Sequence, residues 1–316
     1  MTKTLRGLIA PHDAALPAIG APGREWMSFG ALRDLSRAVE AELRARGIAA
    51  SDRVAIVLPN GPEMATAFVT IAQAAATAPL NPAYRQEEYE FYLEDLKARA
   101  LVVEEGYDGP ALAAARKFGL GILRLRAGEG PAGAFTLHME GDTRPAAPGT
   151  PGPDDVALIL HTSGTTSRPK IVPLSQRNLA ASAVHIRDTL RFTAADCGLN
   201  IMPLFHIHGL IAGVLAPLAA GSQVFCTPGF NALKFFGWMD EAAPTWVTAV
   251  PTMHQAILAR AGRNAEIIER VPLRFLRSSS AMIAISGPAA RPTVPGLRSA
   301  GGSGLDAIWC VASVMP

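Results

Sequence analysis

Leu160-His161-Thr162-Ser163-Gly164-Thr165-Thr166-Ser167-Arg168-Pro169-Lys170 is the stretch on which the reading of this chain turns. Five of its residues carry a hydroxyl, Gly164 relaxes the backbone, and no apolar side chain falls between Thr162 and Pro169. Lys170 adds one positive charge behind a proline. A loop with this many donors suits a polyanion, and a nucleoside triphosphate is the obvious candidate. Upstream, the branched apolar run Val156–Leu160 reads as a buried strand. Downstream, Val172-Pro173-Leu174 leads to Ser175, an N-cap for a helix expected to run to about Thr189. Strand, donor-rich loop and helix in this order are expected to turn backbone N–H groups and a helix N-terminus toward phosphate. The loop is not a Walker A motif, because Lys170 is followed by Ile171 and Gly164 is its only glycine.

Charge gives the loop a use. A carboxylate attacking a phosphate meets a group that is already negative. At ~4 Å the repulsion is ~1 kcal/mol in water and ~4 kcal/mol at an effective dielectric near ~20. Lys170 and ordered hydroxyls would offset that repulsion and stabilise charge on a leaving pyrophosphate, with Mg²⁺ sharing the work. The competing reading is a Ser/Thr-rich surface turn that merely caps a helix.

Outward from the loop, strands and helices alternate. Leu32, Leu35, Val39 and Leu43 make a helical stripe after Ser28, closed by Gly47. A strand is expected over residues 53–58, an alanine-rich helix over 63–76, a helix over 87–96, a strand over 100–103, a helix over 111–118 and a strand over 122–125. This order implies an α/β fold of mainly parallel sheets covered by helices. The Pro/Gly/Thr-dense segment 140–155 is expected to link a first α/β subdomain, 1–139, to a second, 156–281, with an atypical tail over 282–316.

Composition excludes several function classes. Across 316 residues, Lys and Arg number 29 against 27 Asp and Glu, with no basic run, so no nucleic-acid stripe is expected. Cys197, Cys226 and Cys310 are odd in number and widely spaced, which argues against a disulfide framework and suits a reducing cytoplasm. Gly7-Leu8-Ile9-Ala10 is too short for a signal-peptide core. The uncharged stretch 197–233 is broken by prolines and histidines, so a buried helix over 209–221 is expected instead of a membrane span.

The loop resembles the phosphate loop of the adenylate-forming superfamily, approximately Thr-Ser-Gly-Thr-Thr-Gly-x-Pro-Lys-Gly. Ser167 and Ile171 replace two of its glycines. Three further stretches follow in the family's order: Met202-Pro203-Leu204-Phe205-His206-Ile207-His208-Gly209-Leu210, Thr248-Ala249-Val250-Pro251-Thr252-Met253-His254, and Leu273-Arg274-Phe275-Leu276-Arg277-Ser278-Ser279-Ser280-Ala281. Within the superfamily, these versions are most similar to oxalate–CoA ligases. The resemblance implies an AMP-forming acid–CoA ligase that uses ATP, Mg²⁺ and CoA. Thr162, Ser163, Gly164, Thr165, Thr166, Ser167 and Lys170 would surround the phosphates, with Thr166 toward Mg²⁺. Ser279, Ser280 and Ala281 would lie against the nucleotide, and His206 beside the adenylate. His208, Ala212, His254 and Ser280 would line the acyl pocket. By residue chemistry alone, either histidine of 206–208 could equally be a hydrogen-bonded core residue, and His254 could start a helix at the surface. Histidines and hydroxyls in an acyl pocket suit a short dicarboxylic acid, such as oxalate or malonate, better than a fatty chain.

After Ala281 the resemblance stops. The family's Tyr-Gly-x-Thr-Glu motif, its ribose-binding aspartate and the lysine of its lid domain are missing from Met282–Pro316. A truncated synthetase with an altered tail is therefore expected, inactive or nearly so alone, with the strand over 274–277 left as a sheet edge. A non-catalytic nucleotide-binding remnant and an adenylation domain that loads a carrier protein remain alternatives.

Overall fold

The computed structural model describes residues 2–141, 145–147, 149–162 and 169–278. The expectations placed on Ser163–Arg168, on Ser279–Ala281 and on the 282–316 tail lie outside the described residues.

Thirteen strands are described, in two sheets. In chain order they are β1 (Pro17–Ala21), β2 (Arg24–Ser28), β3 (Arg53–Val57), β4 (Ala76–Pro79), β5 (Ala100–Glu104), β6 (Gly121–Ala127) and β7 (Phe135–Met139). Then follow β8 (Val156–Thr162), β9 (Lys170–Ser175), β10 (Cys197–Asn200), β11 (Gln223–Cys226), β12 (Trp246–Ala249) and β13 (Phe275–Ser278). One sheet has seven strands in the order β7-β6-β5-β3-β4-β8-β9; the other has six, β13-β12-β10-β11-β1-β2. The interior pairs are parallel, and antiparallel pairs occur only at the margins: β6–β7, β8–β9 and β1–β2. This is the expected α/β architecture, with buried runs such as Val54-Ala55-Ile56-Val57 reading as strands covered on both faces.

The sheets do not divide where the chain does. β8 lies beyond the 140–155 segment yet pairs with β4, Thr77 opposite Leu158. β1 comes from the N-terminal block yet runs parallel to β11. The segment itself is fastened to the first block, since Arg44 donates through Nε and Nη2 to the Gly149 carbonyl at 3.1 and 2.8 Å.

Most helices begin and end where sequence chemistry places them. Ser28 caps the helix Phe29–Ala45 by accepting from the Ala31 N–H, and Leu32, Val39 and Leu43 are buried on its inner face. The expected helix over 63–76 is shorter than its composition suggests. It spans Pro62–Ile71, and β4 follows. Alanine propensity gives no boundary there, but the slot between β3 and β8 accepts only a buried strand with small side chains. Thr77 satisfies its hydroxyl in that slot by donating to the Ala157 carbonyl at 2.8 Å. Apart from Glu63, every residue of Pro62–Ile71 is buried, as suits a helix sandwiched between layers. One apolar cluster crosses the molecule through Ile56, Phe68, Leu210, Leu218 and Val224, so the two sheets share a core.

The layout around the phosphate loop also differs from expectation. β8 and β9 form an antiparallel hairpin from Thr162 opposite Lys170 to Val156 opposite Ser175. The helix Gln176–Leu190, capped by Ser175, therefore starts at the far end of the hairpin, roughly 17 Å along β9 from Lys170. Its N-terminus lies at the opposite end of the hairpin from Thr162 and Lys170. Pro173 hid this strand from the sequence reading. β9 tolerates a proline because it is the edge of its sheet.

Candidate active site

Strand register sets the floor of the site. Across the six-stranded sheet, Cys226 stands opposite Asn200, Asn200 opposite Thr248, and Thr248 opposite Arg277. Directly opposed residues of parallel strands share a face, so these four side chains form one row near the carboxyl ends. The strand order reverses here, since β11 follows β10 on one side while β12 and β13 lie on the other. A crevice beyond the carboxyl ends at such a reversal is the usual ligand position in α/β sheets.

The second motif folds over this row. A helix was expected over 209–221; the chain instead forms a π-helix, His208–Leu215, followed by a short α-helical turn, Ala216–Leu218. π-Helical turns occur often at functional sites. Two glycines permit the close approach. A Cβ at Gly213 would lie 2.7 Å from Asn200 Nδ2, and one at Gly209 would lie 2.3 Å from the Pro203 carbonyl oxygen. Asn200 is buried; its Oδ1 accepts from the Met202 N–H at 3.0 Å and its Nδ2 donates to the Gly209 carbonyl at 3.4 Å. Ala212 is buried within the π-helix.

His208 reaches from the π-helix into the row. Its Nε2 lies 2.6 Å from Thr248 Oγ1, and Arg277 Nη1 approaches the same nitrogen at 2.7 Å. Arg277 Nη1 also donates to Thr248 Oγ1 at 3.2 Å. A guanidinium has only donors, so Nε2 accepts and the ring proton sits on Nδ1. His208 Nδ1 is buried without a hydrogen-bond partner among the described residues. A buried donor left unmet costs about 1–3 kcal/mol. Burial, then the Arg277 charge and then His254 push the His208 pKa down to about 4, so the imidazole is neutral at ordinary pH.

His254 is not at the surface. The third motif becomes the helix Pro251–Ala261, His254 is buried in it, and Nε2–H donates to the Arg277 carbonyl at 3.0 Å. Burial lowers its pKa against the opposing effect of that hydrogen bond. His206 is placed differently. It is exposed, its ring centroid is 4.4 Å from that of Phe205, and partial desolvation of the ring lowers its pKa. The expected acyl-pocket residues His208 and His254 thus meet through Arg277, while His206 stays outside the cluster.

Sequence reasoning missed Arg277 and Thr248. Arg277 is 3% exposed and Thr248 0%. The available signal was an arginine at the end of the strand Phe275-Leu276-Arg277-Ser278, a position that a solvated charge rarely occupies. Asn60 was also missed. Its Oδ1 accepts from the Leu204 N–H at 2.8 Å and its Nδ2 donates to the Thr227 carbonyl at 3.0 Å, pinning the 203–206 loop to the first sheet. Two cavities flank Asn60. One of about 160 Å³ is lined by Leu58, Leu80, Leu204 and Phe205; the other, about 290 Å³, holds the Arg24–Glu63 ion pair. Neither includes His208 or Arg277.

At the phosphate loop, Lys170 opens β9 opposite Thr162 at an exposed position. The base of the hairpin is held by His161, whose Nε2 lies 3.1 Å from Asp95 Oδ2 and whose ring meets Tyr92 edge-on at 4.6 Å. Burial lowers the His161 pKa despite the Asp95 carboxylate.

The chain belongs to the AMP-binding enzyme family, whose pattern matches residues 10–311. It is similar to an oxalate–CoA ligase of Arabidopsis thaliana, at 40% identity over 294 residues, covering 90% of this chain and 57% of that protein. A sulfoacetate–CoA ligase of Cupriavidus necator is 30% identical over 296 residues, covering 89% and 55%. The crystal structure of ATP-bound MatB from Rhodopseudomonas palustris superposes with a TM-score of 0.73 at 28% identity, covering 89% of this chain and 55% of that one. The chain spans little more than half the length of these relatives. Among the described residues no helix is long and apolar enough to cross a membrane.

Proposed function

We propose that this chain is the ATP-binding and acid-binding body of an AMP-forming acid–CoA ligase, and that its acid is a small dicarboxylic acid such as oxalate. The observation that carries the choice of acid is the polar cluster in which His208 of the π-helix, half-buried, meets the buried Thr248 and Arg277. A ligase for fatty acids needs apolar walls there, because methylenes against a guanidinium and an imidazole would leave both poorly solvated.

In the first half-reaction a carboxylate oxygen of the acid attacks the α-phosphorus of ATP, and the bond to the bridging oxygen breaks to release pyrophosphate. In the second, the CoA thiol attacks the acyl carbon, forming the thioester and releasing AMP. CoA is the acceptor that the names of the relatives carry. Thr162, Ser163, Gly164, Thr165, Thr166, Ser167 and Lys170 are the residues we assign to the triphosphate, and the Lys170 ammonium offsets the charge that builds on the leaving pyrophosphate. Thr166, which lies outside the described residues, is the residue we assign to Mg²⁺, whose charge would help neutralise the phosphates when bound.

Calorimetry on the 316-residue chain tests both parts. The chain is expected to bind Mg·ATP, and to bind oxalate more tightly than octanoate. Tighter binding of octanoate overturns the choice of acid, and failure to bind ATP overturns the ligase reading.

A further inference from the structure

Resting on the ligase reading, with His206 taken to stand beside the adenylate, we propose that Asn60 is a positioning residue for the first half-reaction. From the first sheet, and through the Leu204 N–H, it sets where His206 meets the nucleotide.

The inference follows from how the segment between β10 and the π-helix is held. Asn200 fixes its two ends, accepting from the Met202 N–H at 3.0 Å and donating to the Gly209 carbonyl at 3.4 Å. Between those points, among the described residues, one side chain hydrogen-bonds the backbone: Asn60, whose Oδ1 accepts from the Leu204 N–H at 2.8 Å. Leu204 and Phe205 border the cavity of about 160 Å³ that Asn60 also lines. A segment beside open space is not fixed by close packing, so this hydrogen bond decides its height. The constraint passes on to His206 in two ways. The His206 N–H closes a turn onto the Pro203 carbonyl at 3.4 Å, and its ring rests against Phe205. Asn60 is itself held, since its Nδ2 donates to the Thr227 carbonyl at 3.0 Å. Thr227 in turn donates to the Asn200 carbonyl through its N–H at 3.2 Å and its hydroxyl at 3.1 Å. The two asparagines are thus joined through Thr227 into one frame, and a carboxamide suits position 60 because it accepts and donates at once.

The test is a double-mutant cycle in Mg·ATP affinity, measured by calorimetry on the full 316-residue chain. It compares the wild type, Asn60→Ala, His206→Ala and the double variant. His206→Ala should weaken Mg·ATP binding by roughly tenfold, and Asn60→Ala by roughly fivefold. The double variant should stay within about twofold of His206→Ala, because both changes remove one interaction. Losses that multiply overturn the positioning role, as does an unchanged affinity in Asn60→Ala. If Asn60→Ala fails to fold, the same cycle is run with Asn60→Gln, which keeps the amide but moves it by one methylene. In ¹H–¹⁵N spectra, Asn60→Ala should shift the ring signals of His206 and leave those of His254, which is held by the Arg277 carbonyl, in place. Unmoved His206 signals also overturn the role. The reading beneath fails separately: an unchanged affinity in His206→Ala removes His206 from the nucleotide, and a wild type that does not bind Mg·ATP refutes the ligase itself.

Discussion

Thr248 and Arg277 stand directly opposite each other on neighbouring parallel strands, and Arg277 Nη1 donates to Thr248 Oγ1 at 3.2 Å. Their separation of 29 residues contains the whole helix Pro251–Ala261. The pair is therefore a product of sheet register. A slip of one residue would turn Arg277 to the other face and take its charge away from His208.

Gly213 is where this geometry is least tolerant. Gly213→Ala puts a Cβ 2.7 Å from Asn200 Nδ2 and must displace either the π-helix or the amide. It is expected to cost about 1–3 kcal/mol in urea unfolding, and to weaken oxalate binding because His208 shifts with the helix. Gly237, in the helix Phe235–Ala242, has nothing within 4 Å of its Cβ position. Gly237→Ala should stabilise by about 0.5–1 kcal/mol and leave binding unchanged.

Asn60 joins the two sheets through a pair of side-chain hydrogen bonds. Asn60→Ala is expected to lower stability by about 1–3 kcal/mol, since it strands the Leu204 N–H and the Thr227 carbonyl. Asn60→Asp keeps the acceptor for Leu204 but loses the donor to Thr227, and should fall between the two. Equal unfolding midpoints for wild type and Asn60→Ala would show that the pin has no energetic weight.

Acid should loosen the fold through His208. Its folded pKa of about 4 lies below the ordinary histidine value of 6.5, so the unfolded chain binds this proton first as pH falls. Stability from this group is complete above pH 6.5, declines toward pH 4 and is flat below that. The total is up to about 3 kcal/mol. Burial lowers His12, His161, His206 and His254 as well, which adds to the same slope. Denaturant midpoints measured from pH 7.5 to 4 should fall, and His208→Gln should flatten part of the fall. An unchanged slope in that variant would remove His208 as its source.

The contact between His161 and Asp95 ties the base of the phosphate loop to the helix Gln86–Leu96. Asp95→Ala should weaken Mg·ATP binding by about tenfold, the scale of a lost charge-assisted hydrogen bond. Oxalate binding should be unaffected, because the acid cluster belongs to the other sheet. Parallel titrations with the two ligands separate these outcomes.

Much of the site was legible along the chain, and the reason is local. The loop composition, the Ser28 and Ser175 caps and the buried strand runs act over a few residues, so short-range chemistry reveals them. His208 and His254 stood out for the same reason, as histidines within otherwise apolar motifs. What was hidden depends on partners far away in sequence. β9 was obscured by Pro173 and β4 by its alanines, because each is made a strand by its neighbour in the sheet. Asn60 acquires its role only through Thr227 and Leu204, and Arg277 through His208 and Thr248.

The order of residues alone determined the alternating α/β pattern, the donor-rich loop and the family to which the chain belongs. Each of these is a pattern of side-chain chemistry at short spacing. Only the tertiary structure decided that β8 crosses into the first sheet, that the helix after β9 starts away from the loop, and that Arg277 rather than His206 joins His208. The physical reason is that strand register and the approach of the π-helix bring together groups whose separation along the chain says nothing about their distance in space.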